Sequence, residues 1–292
     1  MDLKEVIVLT DHQSFSAIEN ILEELGALGI TKEEFKEKPK EVRLKAYFDE
    51  EDFSKVKLDE IKDRIFSLEE YGFELSDVEI SVDSLQEEDW ANKWKDNFKP
   101  IKISEKIIIK PTWEDYKCSK DDIIIELDPG RAFGTGDHGT TSVCLRMIEK
   151  YLKPGVNFLD IGTGTGILSI AAAKLGVGDI LALDIDPVAV KVARENGRLN
   201  RVEDRIEFKI GNLIEVVNKK YDFCVANILP HIILNLIPDL PKVIKEGGHF
   251  LLSGIIEEKV EEIEVELEKY NLELLERCQE GEWITLVGIR RG

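Results

Sequence analysis

The stretch Phe158-Leu-Asp-Ile-Gly162-Thr-Gly164-Thr-Gly166-Ile-Leu168 constrains the fold of this chain more than any other. A short strand-like run meets three glycines at alternate positions, and an apolar helical run follows. Glycine alone adopts positive φ freely and lets a ligand or a second element approach where a Cβ would collide. A strand, glycine turn and helix in that order form the opening unit of a parallel sheet with helices on its faces. The spacing is G-x-G-x-G, whereas a dinucleotide turn requires G-x-G-x-x-G. Turns of this kind also arise for packing reasons alone, so the flanking sequence has to choose between ligand and packing.

From about residue 101 the hydrophobic pattern alternates between β-like and helical periods. Strands are predicted at 107–109, 123–127, 158–161, 180–185, 206–210, 221–227, 250–253, 272–277 and 284–289. Helices are predicted at 167–175, 187–200, 229–244 and 257–270, the second opened by Pro187. Alternation of this kind gives a doubly wound, mostly parallel α/β sheet, and the two consecutive strands at the end predict an antiparallel hairpin at its edge.

The first eighty-odd residues have a different texture. Strand-like runs at 5–10, near Phe35, at 41–48 and around Val78, Ile80 and Val82 alternate with helical runs at 14–27 and 58–71. The order βαββαβ predicts a ferredoxin-like α+β domain. Residues 1–75 hold 20 acidic and 11 basic side chains and no cluster with catalytic character, which suits docking better than catalysis. Between the two textures, Trp90, Trp94 and Phe98 fall one helical turn apart on a short charged segment. The stripe either touches substrate or buries itself on a neighbouring domain. The organisation predicted is therefore 1–84 as a recognition domain, 85–100 as a linker helix and 101–292 as the catalytic domain.

Acidic residues outnumber basic ones 59 to 39, for a formal net charge of −20. That field repels phosphate backbones and anionic membranes and attracts basic partners. No run approaches the ~20 apolar residues of a membrane span, and the acidic start has no signal-peptide layout. The four cysteines and four histidines are scattered, without C-x-x-C or H-E-x-x-H spacing. Neither a disulfide framework nor a metal site is expected, and reduced cytosol is the expected compartment.

Three further motifs join the glycines. Asp184, in Leu181-Ala-Leu-Asp-Ile-Asp186-Pro187, ends the next predicted strand 22 residues after Gly162, where an acid accepts the two ribose hydroxyls of an adenosine ligand. Asp186 reads as the N-cap of the helix opened by Pro187. Val225-Ala-Asn227-Ile-Leu-Pro230 ends a later strand, where Asn227 offers an uncharged carbonyl acceptor suited to an amine, or else caps the following helix. Asp128-Pro-Gly-Arg-Ala-Phe133-Gly134-Thr-Gly136-Asp-His138-Gly-Thr140-Thr141 is a glycine-laden loop entering a helix. Hydroxyls and free N–H groups there suit a carboxylate. The D-x-G-x-G-x-G and acidic motifs resemble class I S-adenosylmethionine-dependent methyltransferases. Together with the A-F-G-T-G…H…T-T loop and A-N-I-L, they resemble the PrmA family, which methylates the eleventh protein of the large ribosomal subunit. The resemblance spans the chain; Gly139 departs from it, standing where the family usually has proline.

The resemblance implies a Rossmann-like catalytic domain, S-adenosyl-L-methionine as donor, and cofactor contacts at Thr141, Gly162, Gly164, Asp184 and Asn227. It also implies that Asn227 orients the amine, that Phe133, Gly134 and His138 lie on a covering loop, and that the substrate is a basic ribosomal protein, modified at lysine ε-amino and N-terminal α-amino groups. A monomer without direct nucleic-acid or membrane contact is the expected state. Three rival readings stand beside it: a lysine methyltransferase acting on an electron-transfer flavoprotein subunit, a Rossmann oxidoreductase, and a non-catalytic S-adenosylmethionine-binding module.

Overall fold

Strand and helix faces in this protein follow the two periods of its sequence, as its computed structural model shows. It describes residues 3–11, 14–27, 29–35, 38–49, 53, 58–71, 75, 78–85, 99–127, 139–281 and 283–292. The described residues divide between 99 and 100 into two compact units.

The first unit runs β1 (Leu3–Asp11), α1 (Phe15–Glu24), β2 (Gly29–Phe35), β3 (Lys38–Asp49), α2 (Leu58–Phe66) and β4 (Glu79–Leu85), with a 3-10 turn at Ser67–Tyr71. Its sheet has the order β2-β3-β1-β4, every pair antiparallel, which is the ferredoxin-like arrangement the βαββαβ order predicts. Val6 and Val8 of β1 and Val42, Leu44, Ala46 and Phe48 of β3 alternate onto one face. Ile18, Ile21 and Leu22 of α1 and Ile61 and Ile65 of α2 cover that face, because residues three and four apart share one side of a helix.

The second unit begins with a small sheet of β5 (Ile101–Lys102), β6 (Ile107–Lys110) and β7 (Ile123–Glu126). Then come α3 (Gly139–Tyr151), β8 (Phe158–Ile161), α4 (Ile167–Lys174), β9 (Ile180–Asp184), α5 (Pro187–Leu199), β10 (Ile206–Ile210), β11 (Tyr221–Asn227), α6 (Pro230–Leu236), α7 (Leu240–Val243), β12 (Ile244–Ile256), α8 (Glu257–Glu268), β13 (Leu272–Glu280) and β14 (Trp283–Arg290). Seven strands form one sheet in the order β10-β9-β8-β11-β12-β14-β13. The first five are parallel, and the terminal hairpin is antiparallel with β13 outermost.

Alternate residues of the seven-stranded sheet feed two cores. Phe158, Ala182, Phe223, Val225, Leu251 and Val287 pack with α3, α4 and α5. Leu159, Ile161, Leu181, Leu183, Cys224, Ala226, Phe250 and Leu252 pack with α6 and α8 on the opposite face. The small sheet joins the first of these cores through Ile107, Ile109 and Ile125. Its β7 is held by the Asn200 carboxamide, which bonds both the N–H (2.9 Å) and the carbonyl (2.7 Å) of Glu126 as a neighbouring strand would.

One predicted element is corrected. The continuous helix expected over 229–244 is broken into α6, a 3-10 turn at Ile237–Asp239 and α7, and Ile244 already belongs to β12. Pro238 and Pro241 each sit in the first turn of a new short piece, where a missing N–H is harmless, whereas in a helix interior it would remove a bond. The linker stripe of Trp90, Trp94 and Phe98 and the loop from Asp128 to His138 lie outside the described residues. Among the described residues, no helix is long and apolar enough to cross a membrane.

Candidate active site

The strand order reverses direction at β8: β9 and β10 lie to one side, β11 and β12 to the other. The connections leaving β8 and β11 therefore depart toward opposite faces and open a crevice at the carboxyl ends of the strands, the usual ligand position in such sheets. Every predicted contact among Thr141, Gly162, Gly164, Asp184 and Asn227 lies at or beside those ends.

The glycine turn follows β8 with φ of +74° at Gly162, +53° at Gly164 and +82° at Gly166, a region other residues occupy only at a penalty. It is pinned to β9 by two backbone bonds, from the Gly162 N–H (2.9 Å) and the Thr163 N–H (2.8 Å) to the Leu183 carbonyl. A Cβ on Gly162 would lie 2.4 Å from Ile228 Cγ2, the residue after Asn227. A Cβ on Gly166 would meet the Ala193 backbone of α5 at 3.1 Å. The first glycine thus leaves room for the β11 end and the third for close helix packing.

Asp184 ties the turn to the next strand end. Its Oδ2 accepts from the Gly164 N–H at 2.9 Å and its Oδ1 from the Asp186 N–H at 3.0 Å. Each oxygen keeps a second lone pair for a ligand hydroxyl. Asp186 accepts from the Val188 N–H at 2.8 Å as N-cap of α5. Asn227 ends β11 and does not cap the helix behind it, whose N-cap is Leu229. Its Nδ2 donates to Thr140 Oγ1 at 3.3 Å, and among the described residues its Oδ1 accepts from no protein donor.

Among the described residues, two buried polar atoms at this end of the sheet have no hydrogen-bond partner: Thr141 Oγ1 and Asp160 Oδ1. Such atoms are destabilising unless something binds them. Asp160 lies in β8, on the face with Phe158. Its Oδ2 accepts from Thr163 Oγ1 and from Ser169 Oγ, both at 2.7 Å. Burial, reinforced by the Asp184 charge, pushes its carboxyl up to about 6. Asp160 was quoted in the motif without a function, and only the fold reveals its orphaned oxygen. Gly254 was missed altogether. Its φ is +84°, and a Cβ there would lie 2.6 Å from the Ile228 carbonyl oxygen and 3.5 Å from Asn227 Oδ1. A glycine inside a strand-like run was the available signal. Phe133, Gly134 and His138 lie outside the described residues.

This donor and acceptor set fits S-adenosylmethionine. An acid with spare lone pairs can take hydroxyls such as those of a ribose, a hydroxyl and a carboxylate oxygen without partners among the described residues can take an amino-acid end, and glycines leave out Cβ atoms beside them.

The sequence model of the family described as ribosomal protein L11 methyltransferase (PrmA) matches residues 2–291. A ribosomal protein L11 methyltransferase of Clostridium perfringens is 42% identical over 268 residues, 92% of this chain and 81% of that protein. One from Staphylococcus aureus is 40% identical over 311 aligned positions, covering 99% and 98%. A crystal structure of a ribosomal protein L11 methylase from Lactobacillus delbrueckii subsp. bulgaricus superposes with a TM-score of 0.63 at 38% identity, over 67% of this chain and all of that one. A match that runs almost from end to end, at such identity and with the glycine turn at the switch point of the sheet, places this chain in the PrmA family of S-adenosylmethionine-dependent methyltransferases.

Proposed function

We propose that this methyltransferase modifies amino groups of ribosomal protein L11, at lysine ε-amino and N-terminal α-amino positions. The carrying observation is Asn227: an uncharged acceptor at the end of β11, its Oδ1 without a protein donor among the described residues, beside the glycine turn. A carboxylate in that place would hold an ammonium in its charged, non-nucleophilic form. A carboxamide oxygen accepts an N–H of the neutral amine and leaves the lone pair directed elsewhere.

The donor, when bound, supplies a methyl group that its sulfonium already makes electrophilic. What remains for this chain is alignment. Asp184 accepts the ribose hydroxyls, Thr141 Oγ1 donates to the carboxylate of the methionine end, and Asp160 Oδ1 accepts from its ammonium. Gly162 and Gly164 let the donor approach the backbone. A free lysine is neutral on the order of one time in a thousand at pH 7. A dry pocket lowers its pKa by disfavouring the charged form, and no general base is required.

Residues 1–84 would recognise the substrate, 85–100 connect, and 101–292 catalyse. The acidic excess of the first part suits a basic ribosomal protein. The enzyme would act as a cytoplasmic monomer without direct contact to nucleic acid. The names of the relatives favour the ribosomal substrate over a flavoprotein subunit.

The test is the intact mass of the host's purified L11 after incubation with enzyme and S-adenosylmethionine. Steps of about 14 Da per methyl are expected, and Asn227→Ala should suppress them. An unchanged mass with donor binding intact would remove L11 as the substrate.

A further inference from the structure

We propose that Thr140 is a positioning residue for the transfer, fixing the orientation of the Asn227 carboxamide and thereby favouring amines that still carry an N–H. This rests on the amine reading above. The two ends of a carboxamide have nearly the same shape and opposite chemistry. Presented as Oδ1, it accepts an amine N–H and leaves the nitrogen lone pair for the methyl group. Presented as Nδ2, it donates to that lone pair and blocks it. Nothing in the asparagine itself chooses between the two, so a neighbour must hold it.

Thr140 has the place for that task. The bond from Asn227 Nδ2 to Thr140 Oγ1 turns Oδ1 away from α3, on the side where Gly254 leaves space. Thr140 is 1% exposed and sits in the first turn of α3, a helix anchored to the strand ends it faces. One turn on, the fully buried Cys144 lies in the core with Val225 of β11 and Leu251 of β12, and Ser253 Oγ lies 2.7 Å from Thr285 Oγ1. Ser253 is the residue that pairs with Asn227 across β11 and β12. Thr140 and Cys144, at i and i+4 on one helix face, are both buried, so the packing of α3 on β11 and β12 keeps the Thr140 hydroxyl beside the carboxamide.

Each transfer forms a nitrogen–carbon bond from the amine lone pair and breaks the sulfur–carbon bond, whose electrons stay on sulfur. The ammonium formed loses its proton to water before a further transfer. A neutral primary amine has two N–H groups, a monomethyl amine one, and a dimethyl amine none. A dimethyl amine gains nothing from Oδ1 and loses only through the Nδ2 bond to its lone pair, so the wrong end of Asn227 slows it less than it slows the other two.

The experiment uses the full-length enzyme and L11 carrying an unmodified, monomethylated or dimethylated lysine at an acceptor position mapped with the wild type. In single turnovers Thr140→Val, which keeps volume and removes the acceptor, is expected to slow transfer to the first two by about tenfold, the worth of one hydrogen bond. Transfer to the dimethyl form should slow less than transfer to the first two, and donor affinity should hold. Thr140→Ser should restore the first two rates. Equal loss on all three amines, or no loss on the unmodified one, overturns the proposal. A second readout needs no substrate: in the free protein the Asn227 side-chain NH2 signals should shift and exchange faster with water in Thr140→Val but not in Thr140→Ser. Signals that stay in place overturn it as well. A wild type that binds donor and methylates none of the amines would instead sink the amine reading, leaving Thr140 to be judged by those signals.

Discussion

The parallel strands of the large sheet end in two ways. At their amino ends, Phe158 stacks on Phe223 with ring centroids 5.6 Å apart, His249 stacks on Phe223 at 6.1 Å, and Tyr151 lies 5.9 Å from His249. That end is closed by rings. A few residues along the same strands, the carboxyl ends carry glycines, Asp184, Asn227 and the unpartnered oxygens of Asp160 and Thr141. One end is built from contacts that stabilise the fold in themselves. The other keeps polar atoms without partners among the described residues, a loss of stability that a ligand completing them would offset. Four residues of β8 span both regimes, so stability and function are separable by position along one strand.

The largest effect should come from the closed end. Phe158→Ala empties a fully buried site and is expected to lower stability by about 3–5 kcal/mol, read by denaturant unfolding. Donor affinity of the folded fraction should remain within about threefold if the two ends are independent; a larger loss would break the comparison.

At the open end the expectation reverses. Asp184→Ala removes the acceptor of two backbone N–H groups and of the proposed ribose hydroxyls. At about 1.5–3 kcal/mol for a hydrogen bond to a charged group, donor affinity by calorimetry should fall about a hundredfold or more. An affinity loss below about fivefold would mean that Asp184 serves only the turn.

Gly162→Ala divides its penalty between two causes. Positive φ costs about 1–2 kcal/mol for a residue with a Cβ, and the clash with Ile228 Cγ2 adds to it. Truncating the partner, as Gly162→Ala with Ile228→Ala, should remove the clash and leave the φ penalty. A thermal-melt double-mutant cycle without coupling would show that Ile228 simply swings aside.

The smallest effects are opposite in sign at the two ends. Burial lowers the His249 pKa, with Lys153 reinforcing it, so the unfolded chain binds the proton better. Stability from His249 is present above its ordinary value of 6.5 and is lost as pH falls below it. Asp160 is raised from 3.8 to about 6, so here the folded chain binds the proton better. Its contribution is greatest below 3.8 and declines as pH rises toward 6. Urea midpoints measured between pH 4 and 7 should therefore rise less steeply with pH in His249→Phe than in the parent, and more steeply in Asp160→Asn. Parallel curves would remove either assignment.

Local features of this molecule were legible before its fold. The period-two and period-3.6 runs located most elements, and Pro187 with Asp186 announced the start of α5. The glycine spacing also announced a turn that only glycine could make. Pro238 and Pro241 were equally visible, yet the apolar run around them suggested one helix, because proline is compatible with a first turn and only the chain path shows how many first turns there are. The placement of β14 between β12 and β13 was not readable, since a hairpin can dock by either of its strands.

The sequence by itself therefore determined the class of fold and the place of the turn that only glycines could make, because periodicity and φ are set by neighbouring residues. Only the tertiary structure decided which side chains complete the site. Thr140 and Asn227 lie 87 positions apart and Asn200 and Glu126 lie 74 apart. Asp160 Oδ1 lacks a partner among the described residues only because the fold buries it there. Hydrogen bonds are short and directional, so these partnerships exist only once the order and register of the strands have brought the atoms within reach.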